Sequence, residues 1–209
     1  PKRMGNAHIN VVPYQVLPTK DGHIVLAVGN DGQFTRFCQL AGRPDVARDP
    51  RLLDRLAEAG CRFALIGFES LLPANLKQMA KPWNKVAGSY QDVVKALHTR
   101  GIGIYGTFVF GYDADTVDSI ERTVDFAIES QLEIANFNAL TPTPGSALYD
   151  RLRDEGRLLS PQWWLDPGYR YGDAIFEPRG MSAAQLAEGV FAARERFYSW
   201  ASIGRRVLS

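Results

Sequence analysis

Three short polar phrases could do chemistry in this chain: Glu69-Ser70, Gly111-Tyr112-Asp113 and Thr141-Pro142. Each follows directly on an apolar run of strand character, and in parallel-sheet proteins ligands bind at the carboxyl ends of the strands. Their carboxylates, hydroxyls and phenol could hold the polar parts of a cofactor, so Glu69, Ser70, Gly111, Tyr112, Asp113, Thr141 and Pro142 form the candidate cofactor-binding set. Each has a plainer role beside that one. Glu69 and Ser70 suit a loop or a helix cap, Gly111 suits a turn, and Asp113, Asp115 and Thr116 suit a helix N-terminus through capping and the macrodipole. Thr143-Pro144-Gly145 bends the chain into the next helix, and Tyr149 reads as core. His8, His23 and His98 share no metal spacing, and no serine–histidine–acid order stands out, so neither a catalytic residue nor a metal ligand is assigned. Cys38 and Cys61 match no paired-ligand spacing.

The elements that must position these residues fall into two rhythms. In residues 10–30, Val11, Val12, Tyr14 and Val16 run toward a turn at Lys20-Asp21-Gly22, and Ile24–Val28 run away from it, which predicts a hairpin. After Gly29-Asn30-Asp31-Gly32, the segment Gln33–Ala41 places Phe34, Phe37, Cys38 and Ala41 on one helical face, stopped by Gly42 and Pro44. From Asp49 helices and strands alternate. Leu52, Leu53 and Leu56 line a short helix, and Phe63–Phe68 has the unbroken apolarity of a strand buried on both faces. Ser89 caps a helix carrying Val93, Val94 and Leu97 before the strand Tyr105–Phe110. Thr116 caps a helix with Val117, Ile120, Val124 and Ile128 on its core side before the strand Ile134–Leu140, and a further helix spans roughly 146–155. This alternation predicts βαβ crossovers and a parallel sheet. Trp163, Trp164, Tyr169 and Tyr171 then crowd a loop that either lines a pocket or covers a barrel base or a subunit contact. Ser182 and Gln185 form a capping box for a long helix bearing Leu186, Val190, Ala193, Phe197 and Trp200.

Bulk properties bound the function. The 209 residues are 45% apolar, enough for a sizeable core. Lys+Arg 24 against Asp+Glu 23 leaves a formal charge of +1, which gives no field to attract nucleic acid or an anionic membrane. With two scattered cysteines, no signal peptide and no long apolar run, the expected setting is cytoplasmic and reducing. The start at Pro1 suggests a fragment or a processed chain.

The phrases GNAH, VPYQVLPTKDGHIVLAVGNDGQF and RFCQLAGRPD make residues 3–50 resemble an internal segment of the class III CoA-transferases, without the region that carries their catalytic aspartate. The phrases LLDRLAEAGCRFALIGFESLLPANLKQMAKPWN, GTFVFGYDADT, LTPTPGSALYDRL and FYSWASI make residues 49–206 resemble the C-terminal half of radical S-adenosylmethionine (radical SAM) enzymes of the cobalamin-domain-associated type. An apparent chimera results. The resemblance implies an α/β fold: half of a radical SAM (β/α) barrel, residues 51–158, preceded by a hairpin-plus-helix module, residues 1–50, and followed by an aromatic loop and C-terminal helix, residues 159–209. It implies contact of Glu69 and Ser70 with S-adenosylmethionine, a 4Fe-4S cluster whose cysteine triad is missing here, and cobalamin in relatives.

Reductive cleavage of S-adenosylmethionine needs a thiolate-held cluster. The expectation is therefore a radical SAM protein by descent that is inactive as this chain. The alternatives are a CoA-transferase-derived fragment and a non-catalytic fusion or scaffold. Three strands cannot close a barrel, so the first and third should present open edges, and the barrel-facing side chains Phe68, Phe108 and Phe137 should lose their cover. Either the hairpin covers an edge or the chain self-associates through one.

Overall fold

The computed structural model describes residues 14–28, 31–46, 49, 51–79 and 89–208. Val11, Val12, His8 and the Gly29-Asn30 turn lie outside them. The chain forms two compact units, Pro1–Ala64 and Leu65–Ser209.

In the first unit β1 (Tyr14–Pro18) and β2 (His23–Ala27) pair antiparallel, with Tyr14 opposite Ala27 and Pro18 opposite His23. The Thr19 N–H closes the turn on the Gly22 carbonyl at 2.8 Å. Helix α1 (Asp31–Leu40) buries Cys38 and half-buries Phe34 and Phe37, whereas Ala41 is exposed. Gly42, at φ +69°, lets Arg43 N–H reach back to the Cys38 carbonyl and stops the helix. Helix α2 (Leu52–Glu58) follows, and its Leu56 is exposed.

The second unit is built on a parallel sheet of order β3-β4-β5, comprising β3 (Phe63–Glu69), which begins two residues before the unit boundary, β4 (Gly103–Phe110) and β5 (Ile134–Ala139). Tyr105 stands opposite Ile134 and Phe110 opposite Ala139. The helices are α3 (Pro73–Gln78), α4 (Tyr90–His98), α5 (Val117–Glu129), α6 (Ala147–Asp154), α7 (Ala183–Phe197) and α8 (Trp200–Leu208). Ser89, Thr116 and Ser182 close capping boxes at α4, α5 and α7, and Ser146 caps α6. Ile120, Val124 and Ile128 of α5 are buried as expected; Val117, in its first turn, is 38% exposed.

Strand phase overturns one expectation. Phe68, Phe108 and Phe137 do not lose their cover: all three are fully buried, stacked in a row with 5.4 Å between successive ring centroids. Phe126 of α5 and Tyr90 of α4 meet Phe68 edge-on, and Phe197 of α7 meets Phe137. Gly106 permits this packing, since a Cβ there would lie 2.8 Å from Leu132 and 3.2 Å from the Phe68 ring. Because side chains alternate with period two, the opposite face carries Leu65, Gly67, Thr107, Ile134, Asn136 and Asn138. That face is half open: Leu65 is 46% and Ile134 39% exposed. So β3 is not buried on both faces; its apolar run serves one covered face and one open face.

The C-terminal helix also breaks where one long helix was expected. Ser199 accepts the Ser202 N–H and starts α8 afresh, leaving Trp200 85% exposed rather than in the core. The break lets Tyr198 reach the free edge of β5. Its hydroxyl accepts the Ala135 N–H at 3.2 Å and donates to the Ala135 carbonyl at 2.9 Å. Arg194 Nε donates to the Phe137 carbonyl at 3.0 Å. Side chains thus occupy an edge the sequence predicts to be open. Tyr198→Phe should lower stability by about 1–2 kcal/mol in urea denaturation by stranding both Ala135 groups; an unchanged midpoint would show that the edge does not depend on this hydroxyl.

Candidate functional site

At the end of β3 the backbone enters a conformation rare outside glycine. Glu69 has φ +62°, and the Ser70 N–H closes back on the Phe68 carbonyl at 2.7 Å. The Tyr90 hydroxyl donates to that carbonyl at 3.2 Å and clamps the turn against α4. The consequence is directional. Glu69 Oε1 folds back to within 2.7 Å of where a Gly67 Cβ would stand, which is also 3.7 Å from Thr107 Oγ1, so the carboxylate lies over the half-open face.

Behind the turn sits a buried polar hub. Asp115 is 2% exposed and Asn75 fully buried. Asp115 Oδ2 accepts the N–H groups of Gly111 at 2.9 Å and Tyr112 at 3.0 Å. Its Oδ1 accepts Asn75 Nδ2 at 2.7 Å and the Ser119 hydroxyl at 3.3 Å. Asn75 Nδ2 also donates to Ser70 Oγ at 3.1 Å, and Asn75 Oδ1 accepts the Ala114 N–H. The hub therefore ties together the loops after β3 and β4, α3 and the start of α5. Burial raises the Asp115 pKa above its ordinary value, and the four hydrogen bonds, led by the two backbone donors, do not fully offset it. Burial, followed by the charges of Glu69 and Asp115, pushes the Tyr112 phenol up to about 12.

Ser70, Gly111 and Tyr112 of the expected set thus meet at one point, with Glu69 beside them. The other three point elsewhere. Asp113 forms an ionic cluster: Arg151 at 2.7 Å, Arg157 at 3.2 Å and Arg179 at 3.6 Å, with Gln78 Nε2 also donating to it. Thr141 is exposed and donates to the Ala139 carbonyl, while the carbonyl of buried Pro142 accepts Trp163 Nε1 at 3.3 Å. Asn75, Thr107 and the three arginines were not in the expected set. Their partners lie up to 66 residues away in sequence, from Asp113 to Arg179, which local spacing does not reveal.

The donor set does not fit an iron–sulfur cluster. Among the described residues no group of three or more His, Cys, Asp or Glu is placed to hold a metal, and Cys38 is a buried thiol and Cys61 a half-buried one. No helix among them is long and apolar enough to cross a membrane.

Fold and site define an α/β protein with polar groups gathered at the ends of parallel strands. Sequence comparison finds relatives of two kinds. The sequence model of CoA-transferase family III matches residues 1–91, running past Pro50 where the sequence phrases change. Succinate–glutarate CoA-transferase of Agrobacterium fabrum is 57% identical over 105 residues, 49% of this chain and 22% of that protein. Bacteriochlorophyllide d C-12(1)-methyltransferase of Chlorobaculum tepidum is 33% identical over 158 residues, 76% of this chain and 33% of its own length. The anaerobic magnesium-protoporphyrin IX monomethyl ester cyclase of Cereibacter sphaeroides is 26% identical over 154 residues, 74% of this chain and 24% of that protein. A solved radical S-adenosylmethionine methyltransferase, TsrM from Kitasatospora setae with cobalamin and a 4Fe-4S cluster bound, superposes with TM-score 0.41 and 18% identity over 76% of this chain and 34% of that one. The chain is similar both to these methyltransferase and cyclase sequences and to family III CoA-transferases, in the manner of a chimera. It spans a third or less of the length of these relatives.

The Asp113 cluster gives a pH signature. Burial alone would raise the Asp113 pKa, but hydrogen bonds from Arg151 and Arg157, with their charges, outweigh it and hold the carboxyl below its ordinary value. A carboxyl depressed in the folded state stabilises above its unfolded pKa and loses that contribution as pH falls through the folded one. Asp115, raised instead, has the opposite sign and is common to both proteins in the comparison. The stability gap between wild type and Asp113→Asn should be flat above about pH 5 and shrink below about pH 4. A gap that persists undiminished at about pH 2.5 would contradict the assignment.

Proposed function

We propose that the second unit retains part of an S-adenosylmethionine site, with Glu69 and Ser70 facing the cofactor at the end of β3 and the β4 loop from Gly111 to Asp113 beside them. Thr141 and Pro142 border the same strand ends. When bound in a complete enzyme of the radical SAM type, S-adenosylmethionine supplies the carbon radical or the methyl group. Here the chain's own residues do less. Glu69 offers a carboxylate to a ribose hydroxyl or an ammonium group, and the Asp115 hub holds the loops still.

The observation that supports this reading best is the positive φ of Glu69. A non-glycine residue held there costs about 1–3 kcal/mol, and such strain collects at functional positions. A purely structural turn would be better served by glycine. Without three thiolates in reach the chain does not assemble the cluster, so we read it as catalytically silent alone, a radical SAM protein by descent working in a reducing, cytoplasmic setting. Methylation or ring closure of a tetrapyrrole, as the names of its relatives print, belongs to their complete forms.

A second reading attaches to the first unit. The 57% identity to a CoA-transferase over 105 residues, with the family model matching residues 1–91, supports a joined segment of that family that includes the first unit and runs beyond residue 50. In this reading the segment serves as a structural appendage or scaffold.

Calorimetric titration with S-adenosylmethionine should give a dissociation constant weaker than about 1 mM. Glu69→Gly should abolish the residual heat while raising stability by up to about 1 kcal/mol, because it relieves the positive φ. Anaerobic reconstitution with iron and sulfide should leave the protein without stoichiometric iron. Stable loading of about four irons per chain would overturn the silent-enzyme reading, and a destabilised Glu69→Gly that still binds would overturn the role of Glu69.

A further inference from the structure

The aromatic loop that the proposed cofactor site leaves unused folds into a pocket of its own. Between α6 and α7 the chain makes a tight helical turn, Trp163–Leu165, and doubles back through Tyr169 to Ile175. The half-open recess holds about 160 Å³ and is lined by Trp163, Tyr169, Asp166, Asp173, Leu159 and Ile175 with small neighbours. That is the volume of roughly five liquid waters at ~30 Å³ each.

Its walls carry one kind of chemistry. The Trp163 and Tyr169 rings lie 4.9 Å apart at 59°, so they form a corner rather than a stack. Trp163 is fixed by its Nε1 donating to the Pro142 carbonyl, and Trp164 packs edge-on behind it at 5.8 Å. Two carboxylates complete the lining. Asp166 Oδ1 accepts the Gly168 N–H at 2.7 Å, and Asp173 Oδ2 accepts the Arg170 N–H at 2.7 Å, so backbone bonds orient both side chains. No lysine or arginine is among the lining residues. Burial and then the Asp173 charge raise the Tyr169 phenol above its ordinary value, a sign that a negative field reaches this ring. Aromatic faces attract cations through their quadrupoles, most strongly for tryptophan, and quaternary ammonium groups are the ligands such corners recognise. An anion would be repelled by both aspartates. A neutral apolar ligand would leave the carboxylates facing methyl groups.

We propose that this pocket binds a small alkylammonium group, with Trp163 and Tyr169 against its methyl surface and Asp166 and Asp173 balancing its charge. Its lining includes none of the strand-end residues Glu69, Ser70 and Gly111, and its test does not depend on S-adenosylmethionine binding. The probe is choline chloride added to the full chain. The readouts are the Trp163 indole N–H resonance in nitrogen–proton correlation spectra and calorimetry. Choline should shift that resonance saturably with a dissociation constant of about 1–10 mM. Asp173→Asn, which keeps the oxygen that accepts the Arg170 N–H, should weaken binding at least about fivefold, and Asp166→Asn similarly. The neutral alcohol in which carbon replaces the ammonium nitrogen should give no saturable shift. Saturation by that alcohol at the same concentration would overturn the proposal, as would unchanged affinity in both aspartate variants or the absence of any saturable choline shift. Thermal unfolding of each variant, expected to match wild type, separates lost binding from lost folding.

Discussion

One buried carboxylate holds the strand ends in place. An ion of this kind taken out of water costs several kcal/mol, so it persists only if its lone pairs are met. Asp115 meets them with two backbone N–H groups from the β4 loop, the Asn75 amide and the Ser119 hydroxyl. Through Asn75 the same hub reaches Ser70 at 3.1 Å. A partly satisfied network would be worse than an apolar one, so the loops after β3 and β4 have little freedom to move independently. The turn at Glu69 inherits that rigidity.

The two faces of the sheet divide the work. On one face the stacked row Phe68, Phe108 and Phe137 supplies the packing that anchors β3, β4 and β5 to α4, α5 and α7. The other face carries Gly67 and Thr107, beside which the Glu69 carboxylate lies, together with Asn136, Asn138 and the exposed Leu65 and Ile134. The β5 edge is finished by Tyr198 and Arg194 rather than by another strand. A sheet with one packed face, one half-open face and one closed edge can present the ends of its strands without closing into a barrel.

Much of this was legible in the sequence because the signals are local. Ser89, Thr116 and Ser182 announce their helices through capping chemistry, and each does cap. The three strands are recognisable as apolar runs. Which face each residue takes was less legible: Phe68, Phe108 and Phe137 were expected to face a barrel interior, and the helix layer takes them instead. An apolar run without strict alternation does not reveal its own phase. The break before Trp200 depends on a single serine cap. The hub was the least visible, since Asn75 and Asp115 stand 40 residues apart and Asp115 reads locally as an ordinary helix-start acid.

The strand-end site requires that the Asp115 hub be rigid in solution. Native-state hydrogen exchange at the Gly111 and Tyr112 amides measures this directly, since both donate to Asp115 Oδ2. Protection matching that of the β4 core amides, and lost together at both positions in Asp115→Asn, is the predicted result. Exchange of either amide at open-loop rates in the wild-type chain would contradict it.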